Sequence, residues 1–578
     1  MLRILVTSDT KSRARGHRGP SQGSMTRRPY VPQASSSHLR RPRDATPWIH
    51  RTSNTPDVRL CACEGSTSAA RGHIKRHLCQ GWGCQRMLVA MLSIRASAVF
   101  AIGAVFGFGA IFASAQDIVA GATWTDTSGN AIQAHGGGFL KVGSTYYWFG
   151  EDKSHNSALF KAVSCYTSTN FVTWTRQNDA LTPISGTMIS TSDIVERPKV
   201  IFNSKVLCSL EGSLVSEILT HGLQNSEYVM WFHSDTSNYD AAMVGVATAK
   251  SPCGPYTYKS SFKPLGADSR DMSLFQDNEV PSNASWWSTD LLLPLAAQSA
   301  YLLYASDNNQ NFKITKLDAN YYNVTTEASV LNGATLEAPG IVKRNNVYYL
   351  IASHTSGWDP NPNKWFSASS LSGPWSSQAD IAPEDTRTYF SQNAYDLPLG
   401  SNAIYMGDRW RPDLLGSSRY IWYPLDWSSG SPQIVHADVW TVNLGAGTYT
   451  AASGTTYEAE SGTRSGSSTL ITDSSFSGGK GVGYLGNGGS VTLNVQGSGK
   501  AQWVSIYYAN GDSTWRNTTV SVNGGSSVLV DQPDTGSGND ILSVPVQLTL
   551  QQGSNTIAFG VGQSTYAGDL DKIIVYSS

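Results

Sequence analysis

Along the middle of the chain a polar or acidic residue opens a short strand. A tight turn follows, and a second, more apolar strand ends in small polar residues. The unit is plainest at Ala334-Thr335-Leu336-Glu337-Ala338-Pro339-Gly340, followed by Val347 to Ser353 and then His354-Thr355-Ser356-Gly357-Trp358. It occurs four more times. Glu196-Arg197-Pro198-Lys199 precedes the apolar strand Tyr228 to Asp235, and Arg270-Asp271-Met272-Ser273 precedes Tyr301 to Asp307. Ser391-Gln392-Asn393 precedes Ala403 to Asp408, and His135-Gly136-Gly137-Gly138 precedes Tyr146 to Glu151. Five copies of one strand-turn-strand unit are the signature of a radial repeat. They predict an all-β chain with a five-bladed β-propeller over residues 116–442. Beyond a small-residue linker at 443–456, short alternating strands separated by Gly, Ser and Asn predict an antiparallel β-sandwich of jelly-roll type over 457–578.

Two of the units are long. The leading positions His135, Glu196, Asp271, Glu337 and Gln392 are spaced by 61, 75, 66 and 55 residues. Each long unit carries a 19-residue segment at its first turn, 206–224 and 280–298, and both segments begin with Val and end with Gln. Without them the spacings become 61, 56, 47 and 55, and ordinary hairpin turns remain. Val can be encoded by GT-initial codons and Gln by CAG, the two ends of an intron. Both segments therefore read as retained introns, the alternative being two genuine surface loops.

Charge changes the picture at the other end. The net charge is -1, yet residues 1–86 carry 16 Lys and Arg against 4 Asp and Glu. A basic arm of this kind can bind nucleic acid. The segment after it gives a better account: Met87 and Met91 precede a charged start, an apolar run from Ala98 to Phe112, and Ala113-Ser114-Ala115. That is a secretory signal peptide, residues 87–115, although the apolar run approaches membrane-spanning length. Residues 1–86 are then upstream sequence wrongly joined to the gene. The mature chain is expected to start near Gln116 and to be secreted and monomeric, with no nucleic-acid or membrane partner. Of the seven Cys, five fall in the leader and the first insert. Cys165 and Cys253 remain, a pair for which a disulfide is permitted and two buried thiols are the alternative.

If the first strand of each blade lines a common axis, the leading residues face one funnel. Glu196, Asp271 and Glu337 then converge, and carboxylates brought together raise one another's pKa, which keeps one protonated as a general acid. Trp231, Tyr239, Trp358, Trp365 and Trp410 would offer aromatic faces to a sugar. This combination points to glycoside hydrolysis, the alternative being three solvated turn carboxylates.

Residues 116–442 resemble glycoside hydrolase family 43, and within it the fungal exo-β-1,3-galactanases. The motifs are Tyr147-Trp148-Phe149-Gly150-Glu151, Glu196-Arg197-Pro198-Lys199, Arg270-Asp271-Met272-Ser273-Leu274-Phe275, Leu336-Glu337-Ala338-Pro339-Gly340, His354-Thr355-Ser356-Gly357-Trp358 and Ser391-Gln392-Asn393. The resemblance implies an inverting, exo-acting enzyme that releases galactose from β-1,3-galactan such as the main chain of arabinogalactan. In it Glu337 is the general acid and Asp271 raises and orients it. The general base of most family members, an Asp opening the first inner strand, is replaced here by His135. Gln392 then handles the water, as its imidic-acid tautomer, and Glu196 holds Gln392 or the sugar. Glu151, Tyr239, Asn308, Asn309, Thr355 and Trp358 would grip the terminal galactose. Rival readings are a β-xylosidase, an α-arabinofuranosidase, or a non-catalytic carbohydrate-binding propeller.

The C-terminal module resembles carbohydrate-binding module family 35 through Tyr457-Glu458-Ala459-Glu460 and Gly568-Asp569-Leu570-Asp571. The resemblance implies a structural Ca²⁺ held by Glu458, Glu460 and Asp571, exposed edge charges being the alternative. Tyr484, Arg516, Tyr566 and Asp569 are the expected sugar contacts.

Overall fold

Five four-stranded antiparallel sheets follow one another along the chain, spanning residues 135–181, 193–262, 272–331, 336–380 and 392–434. They come from a computed structural model that describes residues 117–203, 226–277 and 299–577. The leader 1–86, the signal segment 87–115 and the segments 206–224 and 280–298 lie outside the described residues. The first strands of the sheets are His135–Val142, Asp193–Asn203, Met272–Asp277, Leu336–Arg344 and Gln392–Leu399. Each packs against the first strand of the next sheet, and the fifth against the first, so the ring closes. Neighbouring sheets stack face to face on apolar layers. Phe149 and Cys165 of the first sheet meet Val195, Met230 and Phe232 of the second, and Trp148 and Phe139 of the first meet Trp422 and Met406 of the fifth. Burial on both faces is why the second strands, such as Val347–His354, are nearly continuous in apolar residues.

Pairing register locates the two long segments. Three sheets join their first and second strands by two-residue turns, between Val142 and Thr145, Arg344 and Val347, and Leu399 and Asn402. Asn345 and Asn346 hold φ of 50° and 60°, which a tight hairpin turn requires. In the other two sheets Asn203 pairs with Glu227 and Asp277 with Ser299. The hairpins thus close normally on either side of the positions where the long segments fall.

Residues 443–456 are not a loose linker. Thr448–Ala451 forms a strand on Val439–Asn443, which also pairs with Ile118–Val119, giving a three-stranded sheet. Alternation of Thr with Tyr449 and Ala451 suffices for this, because Tyr449 packs against Trp440 and bonds to Asp426 at 2.8 Å. Cys165 and Cys253 are bonded, with Cα atoms 5.7 Å apart, and tie the first sheet to the second.

The described residues form one compact unit. Its C-terminal part, from Gly454, is a six-stranded and a five-stranded antiparallel sheet around a shared core that includes Val482, Leu493, Ile506, Val520, Ile557 and Ile573. It is fastened to the ring partly through Asp438, whose carboxylate accepts from Ser543 Oγ at 2.6 Å and from the Tyr507 hydroxyl at 2.7 Å. Among the described residues no helix is long and apolar enough to cross a membrane.

Candidate active site

The first strands kink where they reach the axis. Pairing slips between His135 and Gly138, Glu196 and Lys199, Glu337 and Gly340, and Asn393 and Tyr395. In three of these Gly136, Arg197 and Ala338 hold φ of 57°, 55° and 51°. Such bulges re-aim the preceding side chain. At Gly136 the space is also needed, since a Cβ there would stand 2.2 Å from Glu151 Oε1. One cavity of about 220 Å³ results, lined by Glu151, Glu196, Arg197, His233, Tyr239, Arg270, Asp271, Asn309, Glu337, Gly357, Trp358, Gln392 and Trp410.

Glu337 accepts a hydrogen bond from Asn309 Nδ2 at 2.7 Å. Burial, and then the Asp271 carboxylate, push its carboxyl up to about 8, with Arg197 and Arg270 pulling the other way. That is a carboxylic acid still carrying its proton at neutral pH. Asp271 is anchored by the Ala338 N–H at 3.1 Å and by Arg197 at 2.9 Å.

Arg197 is the hub. Its guanidinium also donates to Gln392 Oε1 at 2.5 Å and to the Asn393 carbonyl at 3.0 Å. Trp410 Nε1 donates to the same Gln392 oxygen at 2.9 Å, and Gln392 Nε2 donates to Ser353 Oγ at 3.1 Å. An amide oxygen facing two donors suits the ordinary amide. The imidic-acid tautomer would turn its hydroxyl toward those donors, so this arrangement does not favour it.

Glu196 has the opposite electrostatics to Glu337. Burial would raise its carboxyl, but the His233 hydrogen bond and the Lys153 charge hold it at about 2. His233 faces Glu196 Oε2 at 3.4 Å and Asp235 Oδ2 at 2.9 Å. Against its own burial, Asp235 and Glu196 push the imidazole up to about 9. The Tyr239 hydroxyl donates to Glu196 Oε1 at 2.9 Å. Glu151 is committed to the wall, taking the Arg197 N–H at 2.9 Å and Lys153 Nζ at 2.8 Å. Glu196, His233 and Asp271 stand close enough to hold a cation. However, His233 already faces a carboxylate at each nitrogen and Asp271 is paired with Arg197, so the protein supplies the positive charge itself.

Several expected positions lie elsewhere. His135 does not line the cavity: it is fully buried, bonded to Asp408 at 3.0 Å and stacked on Tyr420. Asn308 accepts from Arg270 at 3.2 Å and Thr355 is exposed, and neither lines the cavity. Trp231 belongs to the core, its Nε1 bonded to the Tyr321 carbonyl at 2.8 Å. Trp365 packs on Tyr349. Trp358 and Trp410 do reach the cavity, ring centroids 5.0 Å apart. Sequence reasoning gave no role to Arg197, Lys153, His233 or Asp235. The signals were available, because Arg197 and Lys153 each lie within two residues of a recognised acid.

In the module, Tyr484 and Tyr566 are exposed with ring centroids 6.1 Å apart. Asp569 takes a backbone hydrogen bond from Tyr484, and Arg516 lies within electrostatic reach of it. Arg516 is itself held by Asp512 at 2.6 Å. These four expected sugar contacts form one surface patch. Glu458, Glu460 and Asp571 interact electrostatically: burial first, and then the two glutamates, push the Asp571 carboxyl up to about 6.

Comparison with known proteins identifies the family. The profile of glycosyl hydrolases family 43 matches residues 217–396. A crystal structure of an exo-β-1,3-galactanase from Phanerochaete chrysosporium, in complex with β-1,3-galactotriose, is 71% identical. It covers 80% of this chain and 100% of its own, with a TM-score of 0.73. The chain belongs to glycoside hydrolase family 43. The same Phanerochaete enzyme with galactose matches equally, at 71% identity, the same coverage and a TM-score of 0.73. A protein from Bifidobacterium bifidum s17 described as a possible exo-β-1,3-galactanase is 30% identical over 55% of this chain and 97% of its own, with a TM-score of 0.47. Residues 490–575 match the CBM13 domain of alpha-galactosidase rather than a family 35 module. No curated protein matches the chain. As a family 43 member the chain is a glycoside hydrolase.

Proposed function

We propose that this hydrolase is an exo-acting, inverting β-1,3-galactanase that removes galactose from the end of a β-1,3-galactan chain. The observation that carries the reading is Glu337, a buried carboxyl pushed up to about 8 beside Asp271, in a chain 71% identical to an enzyme of that activity. Glu337 donates its proton to the departing glycosidic oxygen, and Asp271 keeps it oriented. Glu196, ionised, and Gln392, fixed by Arg197 and Trp410, hold the attacking water and the terminal sugar. Tyr239, Asn309 and Trp358 complete the sugar site. The ring of five sheets is read as a five-bladed propeller.

The C-terminal sheets are read as a jelly-roll sandwich that keeps the enzyme on its polymer by raising local concentration, with Tyr484, Arg516, Tyr566 and Asp569 at the sugar. Glu458, Glu460 and Asp571 would hold Ca²⁺. One observation supports the fit: buried Oε2 atoms of Glu458 and Glu460 have no hydrogen-bond partner, and Ca²⁺ prefers several oxygen ligands. The native product is read as secreted and monomeric after cleavage of the signal segment. The segments 206–224 and 280–298 are read as retained introns, supported by the normal closure of both hairpins around them.

Proton NMR of a fresh digest of β-1,3-galactan tests the activity. Inversion yields α-galactose as the first product. Xylose or arabinose from xylan or arabinan, with no galactose, would move the reading to another specificity of the family, and binding without turnover would move it to a lectin.

A further inference from the structure

Gln392 enters the cavity from a turn that L-residues avoid. Arg387, Thr388, Tyr389 and Phe390 hold φ of 47°, 55°, 55° and 54°, four consecutive left-handed residues without a glycine. Left-handed turns of this kind are sterically costly, and they persist only where the surroundings over-determine them. Here the surroundings come from two directions. From the ring, Arg409 donates to the Tyr389 carbonyl at 2.9 Å and the Phe390 carbonyl at 3.3 Å. Thr388 Oγ1 donates to the Asn361 carbonyl at 3.1 Å, and the Tyr389 ring stacks on His436 at 4.4 Å. From the C-terminal module, the Asp534 carbonyl accepts from Arg387 at 2.7 Å, and its carboxylate pairs with the same side chain at 2.9 Å. Phe390 is 4% exposed and lies within the module's own apolar core, its ring 5.9 Å from Trp515. Ser391 follows, buried and bonded to the Thr388 carbonyl at 2.6 Å, and the next residue is Gln392.

We infer that the C-terminal module is a positioning element of the active site as well as a polymer anchor. It seats Phe390 in its core and Arg387 on Asp534, and so holds the left-handed turn that sets the Gln392 amide against Arg197 and Trp410. The inference rests on the galactanase reading. Phe390 and Arg387 act through Gln392 and touch no substrate, so they are positioning residues. The module then matters even for short soluble substrates that need no anchoring.

The test is steady-state hydrolysis of β-1,3-galactotriose by the full chain and its Arg387→Ala, Arg387→Lys and Phe390→Ala variants. Arg387→Ala and Phe390→Ala should lower kcat about tenfold or more, since small misplacements remote from the chemistry carry costs of this order. KM should stay within about twofold, the sign of an interaction felt mainly in the transition state. Arg387→Lys, which keeps the charge on Asp534, should regain most of the loss. The inference is overturned if kcat is unchanged in Arg387→Ala, whether or not the melting temperature falls, or if KM alone rises. Should Phe390→Ala fail to fold, Arg387→Ala decides, because its side chain is only half-buried. Turnover by the unsubstituted chain with unaltered variants overturns this inference alone. No galactose from any chain overturns it together with the galactanase reading.

Discussion

The ring and the module each bring carboxylates together, and they balance the charge in different ways. In the ring Glu151, Glu196 and Asp271 are answered by Lys153, His233 and Arg197. Glu337, which burial and Asp271 push up to about 8, keeps its proton. In the module Glu458, Glu460 and Asp571 meet with Lys572 as the cation near Asp571. Two of their oxygens are buried without a partner. A buried charge is tolerated when it is paired, neutralised or metal-bound. The ring uses the first two solutions with its own residues, and the Ca²⁺ proposed for the module would be the third.

The comparison breaks most sharply at Glu337. Glu337→Gln keeps the shape and removes the proton donor, so kcat should fall by about 10²–10⁴, the usual range for general acid catalysis. Galactose release from galactotriose measures it, and near-normal turnover would return Glu337 to the status of an ordinary wall residue. Arg197→Met comes next. It leaves Asp271 without its guanidinium and Gln392 Oε1 with the Trp410 donor but not the Arg197 one, and breaking one side of a buried pair costs about 3–5 kcal/mol. Denaturant melts should show that loss. An unchanged midpoint would mean that the ring does not depend on its internal cations.

Calcium removal is the smallest of the three. Chelation should lower the melting temperature by roughly a few degrees and added Ca²⁺ should restore it, as linkage to a bound ion requires. Asp571→Asn sharpens the result. It destabilises a chain that binds Ca²⁺ there, and it stabilises a chain in which three carboxylates merely repel.

The four leading residues Glu196, Asp271, Glu337 and Gln392 were legible because a radial repeat places the same position of each unit at the axis. Their neighbours were not, because a repeat argument says which strand a residue opens but not which way a bulge turns it. The left-handed residue at Arg197 and the slip after it are such details, and they make a motif arginine the centre of the site. His135 was misplaced for the same reason: a leading position was equated with a cavity-facing one, whereas Asp408 and Tyr420 draw its ring into the wall. Trp231 was taken for a sugar platform because aromatic content alone does not separate a core face from a cavity face. Residues 443–456 looked like a linker because their side chains are small, but Tyr449 and the free edge of Val439–Asn443 were enough to make a strand.

The central claim is that Glu337 carries its proton at neutral pH because it is buried beside Asp271. The pH dependence of kcat/KM on β-1,3-galactotriose reports the free enzyme's essential acid most directly. A carboxyl raised from 4.5 to about 8 is protonated below that value and ionised above it. The rate should therefore hold across neutral pH and fall about tenfold per unit once pH passes roughly 8. A descending limb near pH 4 to 5, where an unperturbed glutamate loses its proton, would contradict the account.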